Sequence, residues 1–261
     1  MTLAGIVRGI GLVGPGLHGW DASRDVLAGV AAFVPAATAV PAAEALPATE
    51  RRRAGVAVKL ALAAGLEAAR AARCEPGECA AVFASSGGET ENCHAICEAL
   101  ASEDRLISPT RFHNSVHNAP AGYWGIATGA TQAADCIAAF DASATAGLLE
   151  ALVRIADEPA RAVLLLAYDC PYPDPLHALR PIPDAFAVAM VLAADGVGPR
   201  LQASMATGAP DAMAEARLDH LRRAIPAARL LPLLAALARG GAQTAALEYL
   251  DGTVLHVAAQ A

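Results

Sequence analysis

The sequence predicts a layered α/β domain in which strands and helices alternate along the chain. Apolar runs of strand length occur at residues 4–13, 79–84, 161–167 and 185–194. Segments with helical spacing of apolar residues separate these runs, most clearly at residues 51–72 and 142–156. Alternation of this kind is typical of layered α/β folds. With 261 residues, of which 55% are hydrophobic, the chain is long enough to bury a large core.

The remaining elements are predicted from local signals. A helix over residues 90–102 is predicted to begin with a capping box formed by Ser86 and Glu89. An Ala-rich helix at residues 119–128 and a strand at 133–139 are expected next. The C-terminal part predicts helices near 211–224 and 229–239 and then a hairpin of residues 243–250 and 253–259. Pro-rich residues 15–50 and turn-rich residues 103–117 are expected to be irregular.

Composition excludes several classes of protein. The formal net charge of −7 does not suit a nucleic-acid-binding protein, which must neutralise phosphates. The six cysteines are too sparse for a disulfide scaffold, so we expect reduced thiols and a cytoplasmic protein. Residues 1–16 lack the compact apolar core of a signal peptide. Residues 26–48 are apolar, but three prolines interrupt them, which favours an irregular segment over a membrane span.

Residues 108–155 carry a series of small motifs in one uninterrupted register. The series is Ser108-Pro109, Asn118, Ala121-Gly122 and Gly129, and then a strand that leads to Asp141 at the start of a helix. In this combination the chain resembles the N-terminal half of a β-ketoacyl synthase, over about residues 3–195. The resemblance implies a thiolase-like fold, layered α/β/α with a central mixed sheet, that lacks most of the family's C-terminal half. Residues 1–195 would form the ketosynthase-like domain, and residues 196–261 a short helical and hairpin extension packed on it.

Asp141 occupies the position at which the resembled family carries its cysteine nucleophile. A ketosynthase needs a thiolate to accept an acyl group as a thioester, and a carboxylate cannot form that bond. Cys136 lies five residues upstream, inside the predicted strand. The family's His-Gly-Thr and Phe-Gly-Phe-Gly motifs do not occur after Ala194. We therefore expect no catalytic residue, and we expect Asp141 to cap the following helix by accepting a hydrogen bond from a backbone N–H near Ser143 or Ala144.

Three segments resemble accessory subunits of aryl polyene and xanthomonadin-type pigment synthases: residues 46–53, 112–119 and 146–151. This resemblance implies a chain length factor, a non-catalytic subunit that forms a heterodimer with a full-length, active β-ketoacyl-ACP synthase. Such a subunit shapes the acyl tunnel during polyene or fatty acyl chain elongation and meets acyl carrier protein through the complex. No cofactor, metal, nucleic acid or membrane span is expected.

The resemblance also assigns interface and tunnel residues. The strand at residues 131–140 would pair with its counterpart across the dimer twofold, since an uncovered edge strand promotes aggregation. The expected interface residues are Thr131, Ala133, Cys136, Ile137, Phe140, His117 and Asn118. The residues expected near the acyl tunnel or the partner's pocket are Arg111, Phe112, Gly87 and Gly88.

Two alternatives come from other functional classes. A stand-alone acyltransferase or thioesterase could use Cys136 or Ser143 with His117 and Asp141, provided that nucleophile and histidine lie within hydrogen-bond distance. A homodimeric acyl-binding protein without a catalytic partner is the other alternative.

Two further clusters have structural interpretations. His113 and His117 have the spacing of helical metal ligands, but no third ligand accompanies them, so a hydrogen-bonded loop is favoured. Cys93 and Cys97 are predicted to be core thiols.

Overall fold

The computed structural model describes residues 2–159 and 161–261 and shows a mixed β-sheet with helices on both faces. The strands are β1 Leu3–Gly14, β2 Leu17–His18, β3 Ala80–Ala84, β4 Ala134–Ile137, β5 Val163–Asp169, β6 Phe186–Ala193, β7 Arg200–Thr207, β8 Ala242–Glu248 and β9 Thr253–Gln260. The α-helices are α1 Trp20–Ala28, α2 Ala48–Arg53, α3 Val56–Ala72, α4 Thr90–Ala101, α5 Pro109–Asn114, α6 Ala119–Thr128, α7 Ser143–Asp157, α8 Leu176–Leu179, α9 Ala216–Ala224 and α10 Leu231–Arg239. Short 3₁₀ helices lie at Pro76–Glu78, Phe140–Ala142 and Pro226–Leu230.

The sheet has the strand order β4-β3-β5-β6-β1-β7-β9-β8, and β2 pairs with β1. β3 runs parallel to both β4 and β5, whereas the other pairs are antiparallel. The carboxyl ends of β3, β4 and β5 therefore meet at one edge of the sheet. The predicted central mixed sheet is confirmed.

Each face of the sheet carries its own hydrophobic core. In β5, Val163 and Leu165 belong to the core that includes α7 and α10, whereas Leu164 and Leu166 belong to the core that includes α3 and α6. A strand that is buried on both faces reads as a continuous apolar run, which is why β5 was evident in the sequence. The predicted α/β/α layering is confirmed.

Close backbone approach fixes the helices on the sheet at two glycines. A Cβ at Gly11 of β1 would overlap the carbonyl oxygen of Ala64 in α3. A Cβ at Gly147 of α7 would lie 2.6 Å from the Ala84 Cβ in β3. α7 therefore packs tightly on β3, and this contact holds the start of α7 beside the carboxyl ends of the parallel strands.

Several element boundaries differ from the predictions. The helix predicted over residues 51–72 is divided into α2 and α3, because Ala54 and Gly55 have extended backbones. α1 and α5 lie in segments that were expected to be irregular. β7 was not predicted, because only Leu201 and Ala203 are buried in this otherwise half-open strand and the apolar alternation is weak.

The prediction of a capping box before α4 is wrong. Glu89 stands at the N-cap position without a side-chain hydrogen bond to the helix, and the Ser86 hydroxyl donates instead to Asp169 at 2.6 Å. The prediction of core thiols on this helix is also wrong, since Cys93 and Cys97 are both exposed. The physical reason is that α4 packs beside α5 at the surface and buries none of its residues fully.

Residues 196–261 continue the same sheet through β7, β9 and β8. The predicted hairpin is confirmed as β8 and β9, with Gly252 at φ 71° in the turn. The helix predicted near 211–224 begins at Ala216, and the next one opens with the 3₁₀ helix Pro226–Leu230 before α10. No helix in the described parts of the chain is long and apolar enough to cross a bilayer.

Candidate functional site

The candidate site lies where the parallel strands β3, β4 and β5 end. Ser85 follows β3, Asp169 is the last residue of β5, and the chain leaving β4 reaches Asp141 just before α7. Crevices outside the carboxyl ends of strands are common functional sites in open α/β sheets. The 3₁₀ helix Pro226–Leu230 contributes side-chain and backbone groups to the same place.

Asp141 forms ion pairs with two arginines. Its Oδ1 accepts a hydrogen bond from Arg180 Nη2 at 2.6 Å, and its Oδ2 accepts one from Arg229 Nη2 at 2.9 Å. Arg229, whose side chain is only 9% exposed, also pairs with Glu248. The carboxylate is thus neutralised by guanidinium groups on two separate segments.

The prediction that Asp141 caps α7 is wrong. Asp141 lies in the 3₁₀ helix Phe140–Ala142, and α7 has Ala142 at its N-cap position with no side-chain hydrogen bond. A guanidinium group adds charge–charge attraction to its hydrogen bond with the carboxylate, which a neutral backbone N–H does not supply. Neither arginine stands near Asp141 in the sequence, so no local signal could indicate them.

Phe140 adopts an unusual backbone conformation beside Asp141. Its φ is 51°, a region that L-residues other than Asn and Asp rarely occupy. Its ring is exposed, and the Arg180 guanidinium carbon stacks 3.8 Å from the ring centroid. The buried Ser143 hydroxyl donates to the Phe140 carbonyl at 2.7 Å and accepts from the Ala139 N–H at 2.9 Å. These contacts stabilise the turn that presents Phe140 and Asp141.

Asp169 is a buried carboxylate that joins three segments. It accepts hydrogen bonds from the Ser86 N–H at 2.8 Å, the Ser86 hydroxyl at 2.6 Å and the Ala227 N–H at 2.8 Å, with the Ser85 hydroxyl at 3.3 Å. Burial raises the pKa of Asp169 to about 6, although these hydrogen bonds oppose the rise. Asp169 thereby ties the loop after β3 to the 3₁₀ helix that carries Arg229. Asp169 was not predicted as a site residue, although a carboxylate at the end of an apolar strand run is a visible signal in the sequence.

Glu89 is a second buried carboxylate, at the start of α4. Its side chain fills the space above Gly55, where a Cβ would overlap the carboxylate oxygens. Within residues 2–159 and 161–261, its Oε2 atom has no hydrogen-bond partner. Burial raises the pKa of Glu89 to about 7, and a hydrogen bond from the backbone of Ala57 partly offsets this effect.

The four residues predicted to lie near a tunnel fall in two places: Gly87 and Gly88 in the loop after β3, and Arg111 and Phe112 on α5. A Cβ at Gly87 would lie 2.6 Å from the Tyr172 hydroxyl, and Gly88, at φ 63°, packs against His117. The two glycines therefore permit close packing of the loop after β3. Arg111 and Phe112 are exposed on α5, and the Phe112 side chain is 64% accessible. Their proximity to an acyl tunnel stays a prediction.

Five of the predicted interface residues lie in or beside β4, at the open edge of the sheet, whereas His117 and Asn118 directly precede α6. In the part of the chain that the structure describes, β4 pairs only with β3 and so leaves its other edge free. Four of these residues are exposed, namely Thr131, Ala133, Phe140 and Asn118. Three are partly buried, namely Cys136, Ile137 and His117. Their contact with a partner stays a prediction.

The geometry of a stand-alone acyltransferase or thioesterase is not formed. His117 Nε2 lies 3.0 Å from the Ser85 carbonyl oxygen, and the Ser143 hydroxyl is occupied by backbone groups of residues 139 and 140. Burial raises the pKa of Cys136 and so disfavours its thiolate. Among the described residues, no hydrogen bond joins His117 to Cys136 or Ser143, and no cluster of three or more His, Cys, Asp or Glu side chains could hold a metal.

Comparisons with known proteins agree with this architecture. The ketosynthase ApeO in complex with its chain length factor ApeC from Xenorhabdus doucetiae matches with 24% identity and a TM-score of 0.75, covering 98% of this chain and 99% of that chain. The ishigamide ketosynthase/chain length factor matches with 14% identity and a TM-score of 0.70, covering 99% of both chains. A β-ketoacyl synthase from Burkholderia phymatum matches with 15% identity and a TM-score of 0.60, covering 87% of this chain and 71% of that chain.

At these identities, the structural matches establish the predicted thiolase-like fold. A search of curated protein sequences returned no match. The family model described as "Beta-ketoacyl synthase, N-terminal domain" matches residues 22–246, which is most of the chain. On this evidence the chain belongs to the β-ketoacyl synthase N-terminal domain family.

Proposed function

We propose that this chain is a non-catalytic, ketosynthase-like chain length factor that pairs with an active β-ketoacyl-ACP synthase and shapes its acyl tunnel. The proposal rests on Asp141, which the register of the motifs at residues 108–155 aligns with the family's nucleophile. In the structure this carboxylate is held between Arg180 and Arg229. The expected setting is polyene or fatty acyl chain elongation, with acyl carrier protein reached through the complex.

The chemistry at Asp141 does not suit acyl transfer. Condensation requires a sulfur nucleophile that carries the acyl group as a thioester, and the carboxylate is already paired with two guanidinium groups. Its negative charge also lies where the anionic extender unit would approach. Cys136 stands within β4, away from the start of α7, and cannot replace the missing thiol.

The surface near β4 supports a partner of the same fold. Large apolar side chains are exposed on α4, between α4 and α5, on α5, just after α5 and just after β4: Leu100, Leu106, Ile107, Phe112, Val116 and Phe140. An open edge strand and exposed apolar surface each promote aggregation unless another chain covers them. Two of the similar structures contain a ketosynthase together with a chain length factor. A ketosynthase that covers β4, α4 and α5 is therefore the proposed partner.

Co-expression with a candidate ketosynthase tests the proposal. We expect a complex with the mass of one copy of each chain, and we expect an acyl thioester donor to label only the ketosynthase. A homodimer of this chain that excludes the ketosynthase would favour the acyl-binding alternative. A covalent acyl adduct on this chain when it is purified alone would overturn the proposal.

Product length tests the role of α5. Phe112→Ala removes an exposed ring from the surface proposed to face the partner's tunnel, so we expect the product distribution to shift in length. Val197→Ala is the matched control, because Val197 is also exposed but lies between β6 and β7. An unchanged distribution of product lengths from an intact complex that contains Phe112→Ala would contradict the proposal that α5 faces the tunnel.

A further inference from the structure

Two thiols face each other at the amino end of β3, at the opposite end of this strand from Asp141. Cys74 follows α3, Cys79 precedes β3, and their Sγ atoms are 3.7 Å apart. The 3₁₀ helix Pro76–Glu78 connects them, and the Cys74 N–H donates to the Ala69 carbonyl at 3.1 Å. A disulfide requires the two sulfurs to approach by only about 1.7 Å.

The two thiols have unequal environments. Cys74 is partly exposed, whereas Cys79 is 3% exposed. Both line an open cavity of about 600 Å³, whose charged lining residues are Arg8, Arg161, Glu75, Glu78 and Glu158. The hydrogen bond with Cys79, opposed by burial and assisted by Arg8, lowers the pKa of Cys74 from its ordinary 9.0 to about 7. The same hydrogen bond, together with burial, raises the pKa of Cys79. An accessible thiolate beside a second, protected thiol is the usual arrangement of a redox-sensitive pair.

We propose that Cys74 and Cys79 form a dithiol site that is reversibly oxidised by low-molecular-weight disulfides such as oxidised glutathione. The Cys74 thiolate attacks one sulfur of the small disulfide, forms a mixed disulfide and releases one small thiol, which takes up a proton from solvent. Cys79 then loses its proton and attacks the Cys74 sulfur, which releases the second small thiol. One small disulfide is reduced to two thiols, and the protein gains the Cys74–Cys79 disulfide.

The other paired thiols of the chain provide an internal comparison. Cys93 and Cys97 are more exposed, since both lie on the outer surface of α4. Burial nevertheless raises the pKa of Cys93, and the neighbouring Cys97 raises it further. If solvent access alone controlled the reaction with a small disulfide, Cys93 and Cys97 would react first. If the fraction of thiolate controls it, Cys74 reacts first, so the order in which the thiols react distinguishes the two explanations.

Peptide-resolved alkylation with iodoacetamide tests the first step. At pH 7 about half of Cys74 is expected as thiolate, against about one part in a hundred for a thiol with the pKa of 9.0 used above as the ordinary value. Since nucleophilicity falls with pKa, Cys74 should react roughly five- to tenfold faster than such a thiol. Cys79→Ala removes the hydrogen-bond donor and should move the midpoint of Cys74 alkylation to higher pH.

Incubation of the full chain with oxidised glutathione, followed by peptide mass spectrometry, tests the second step. We expect wild-type protein to lose two hydrogens as the Cys74–Cys79 disulfide, and Cys79→Ala to stop at a glutathione adduct on Cys74. Cys74→Ala should leave Cys79 unreacted, and the Cys93→Ala/Cys97→Ala double variant should form the disulfide as wild type does. Circular dichroism confirms that each variant is folded. Adducts that form first on Cys93 or Cys97, or no disulfide between Cys74 and Cys79, would overturn the proposal.

Discussion

Asp141 and Asp169 lie at the same edge of the sheet, after β4 and β5, but their carboxylates are stabilised in different ways. Asp141 is 37% exposed and is neutralised by Arg180 and Arg229. Asp169 is 2% exposed and accepts hydrogen bonds from neutral backbone and hydroxyl donors. One carboxylate is balanced by charge at the surface, and the other by oriented dipoles in the interior.

The difference indicates that Asp169 stabilises the fold, whereas Asp141 is the candidate functional residue. Asp141 is the residue proposed to replace the family's nucleophile, and its ion pairs are partly screened by water. Asp169 accepts hydrogen bonds from the buried Ser85 hydroxyl and Ala227 N–H and from the partly buried Ser86, so its loss would leave these donors without their partner. The two sites are linked through one short 3₁₀ helix, in which Ala227 bonds Asp169 and Arg229 bonds Asp141.

The largest effect is expected from Asp169→Ala. Removing the carboxylate leaves buried N–H and O–H groups unpaired, so the free energy of unfolding should fall by about 3–5 kcal/mol. Chemical denaturation of wild type and Asp169→Ala at pH 7 measures this loss of stability. Asp169→Asn, which keeps the shape and one acceptor, should lose less, and Asp195→Ala, at an exposed position, should change little. A loss no larger than that of Asp141→Ala would contradict the contrast between the two sites.

The next effect concerns Glu89 and pH. Its pKa is raised from 4.5 to about 7 in the folded chain, so its contribution to stability is fully present below pH 4.5 and is lost as the pH rises through 7. Between pH 4.5 and 7.5 this carboxyl should lower the free energy of unfolding by up to about 3 kcal/mol. Glu89→Gln should remove this part of the dependence, whereas Glu103→Gln, at an exposed position, should retain it. Denaturation midpoints measured from pH 4.5 to 7.5 test this prediction. The same pH dependence of the midpoint in Glu89→Gln and in wild type would refute the contribution assigned to Glu89.

A smaller effect is expected from Asp141→Ala. The carboxylate is more than a third exposed, and Arg229 keeps its pairing with Glu248, so the free energy of unfolding should fall by about 1–2 kcal/mol. A double-mutant cycle with Arg180→Ala measures the coupling between the two side chains. A coupling energy of zero would mean that the Arg180–Asp141 pair does not stabilise the fold.

The smallest effect is expected from Ser86→Ala. It removes one hydroxyl donor, while the Ser86 and Ala227 N–H groups still hold Asp169, so the loss of stability should be about 1 kcal/mol. Hydrogen exchange provides the second measurement. Because Ser86 does not cap α4, the first turn of that helix should exchange as in wild type. Faster hydrogen exchange confined to the first turn of α4 in Ser86→Ala would show that Ser86 does cap this helix.

Most of the sheet and its covering helices could be predicted, because their apolar patterns are local. β5 and β6 are fully buried and read as continuous apolar runs, and α3 and α7 show helical spacing. α1 and β7 were missed, since each buries only two side chains and its pattern is diluted by polar residues.

At the candidate site, the sequence by itself determined that residue 141 carries a carboxylate. The register of the motifs at residues 108–155 predicts that this residue stands in the place of a nucleophilic thiol. The tertiary structure decided how that carboxylate is stabilised, because Arg180 and Arg229 reach it from 39 and 88 residues away. It also decided that Ser86 serves Asp169 and that Cys74 meets Cys79. Chemical identity is encoded at each position, but hydrogen-bond partners distant in the chain meet only when the strands and helices pack.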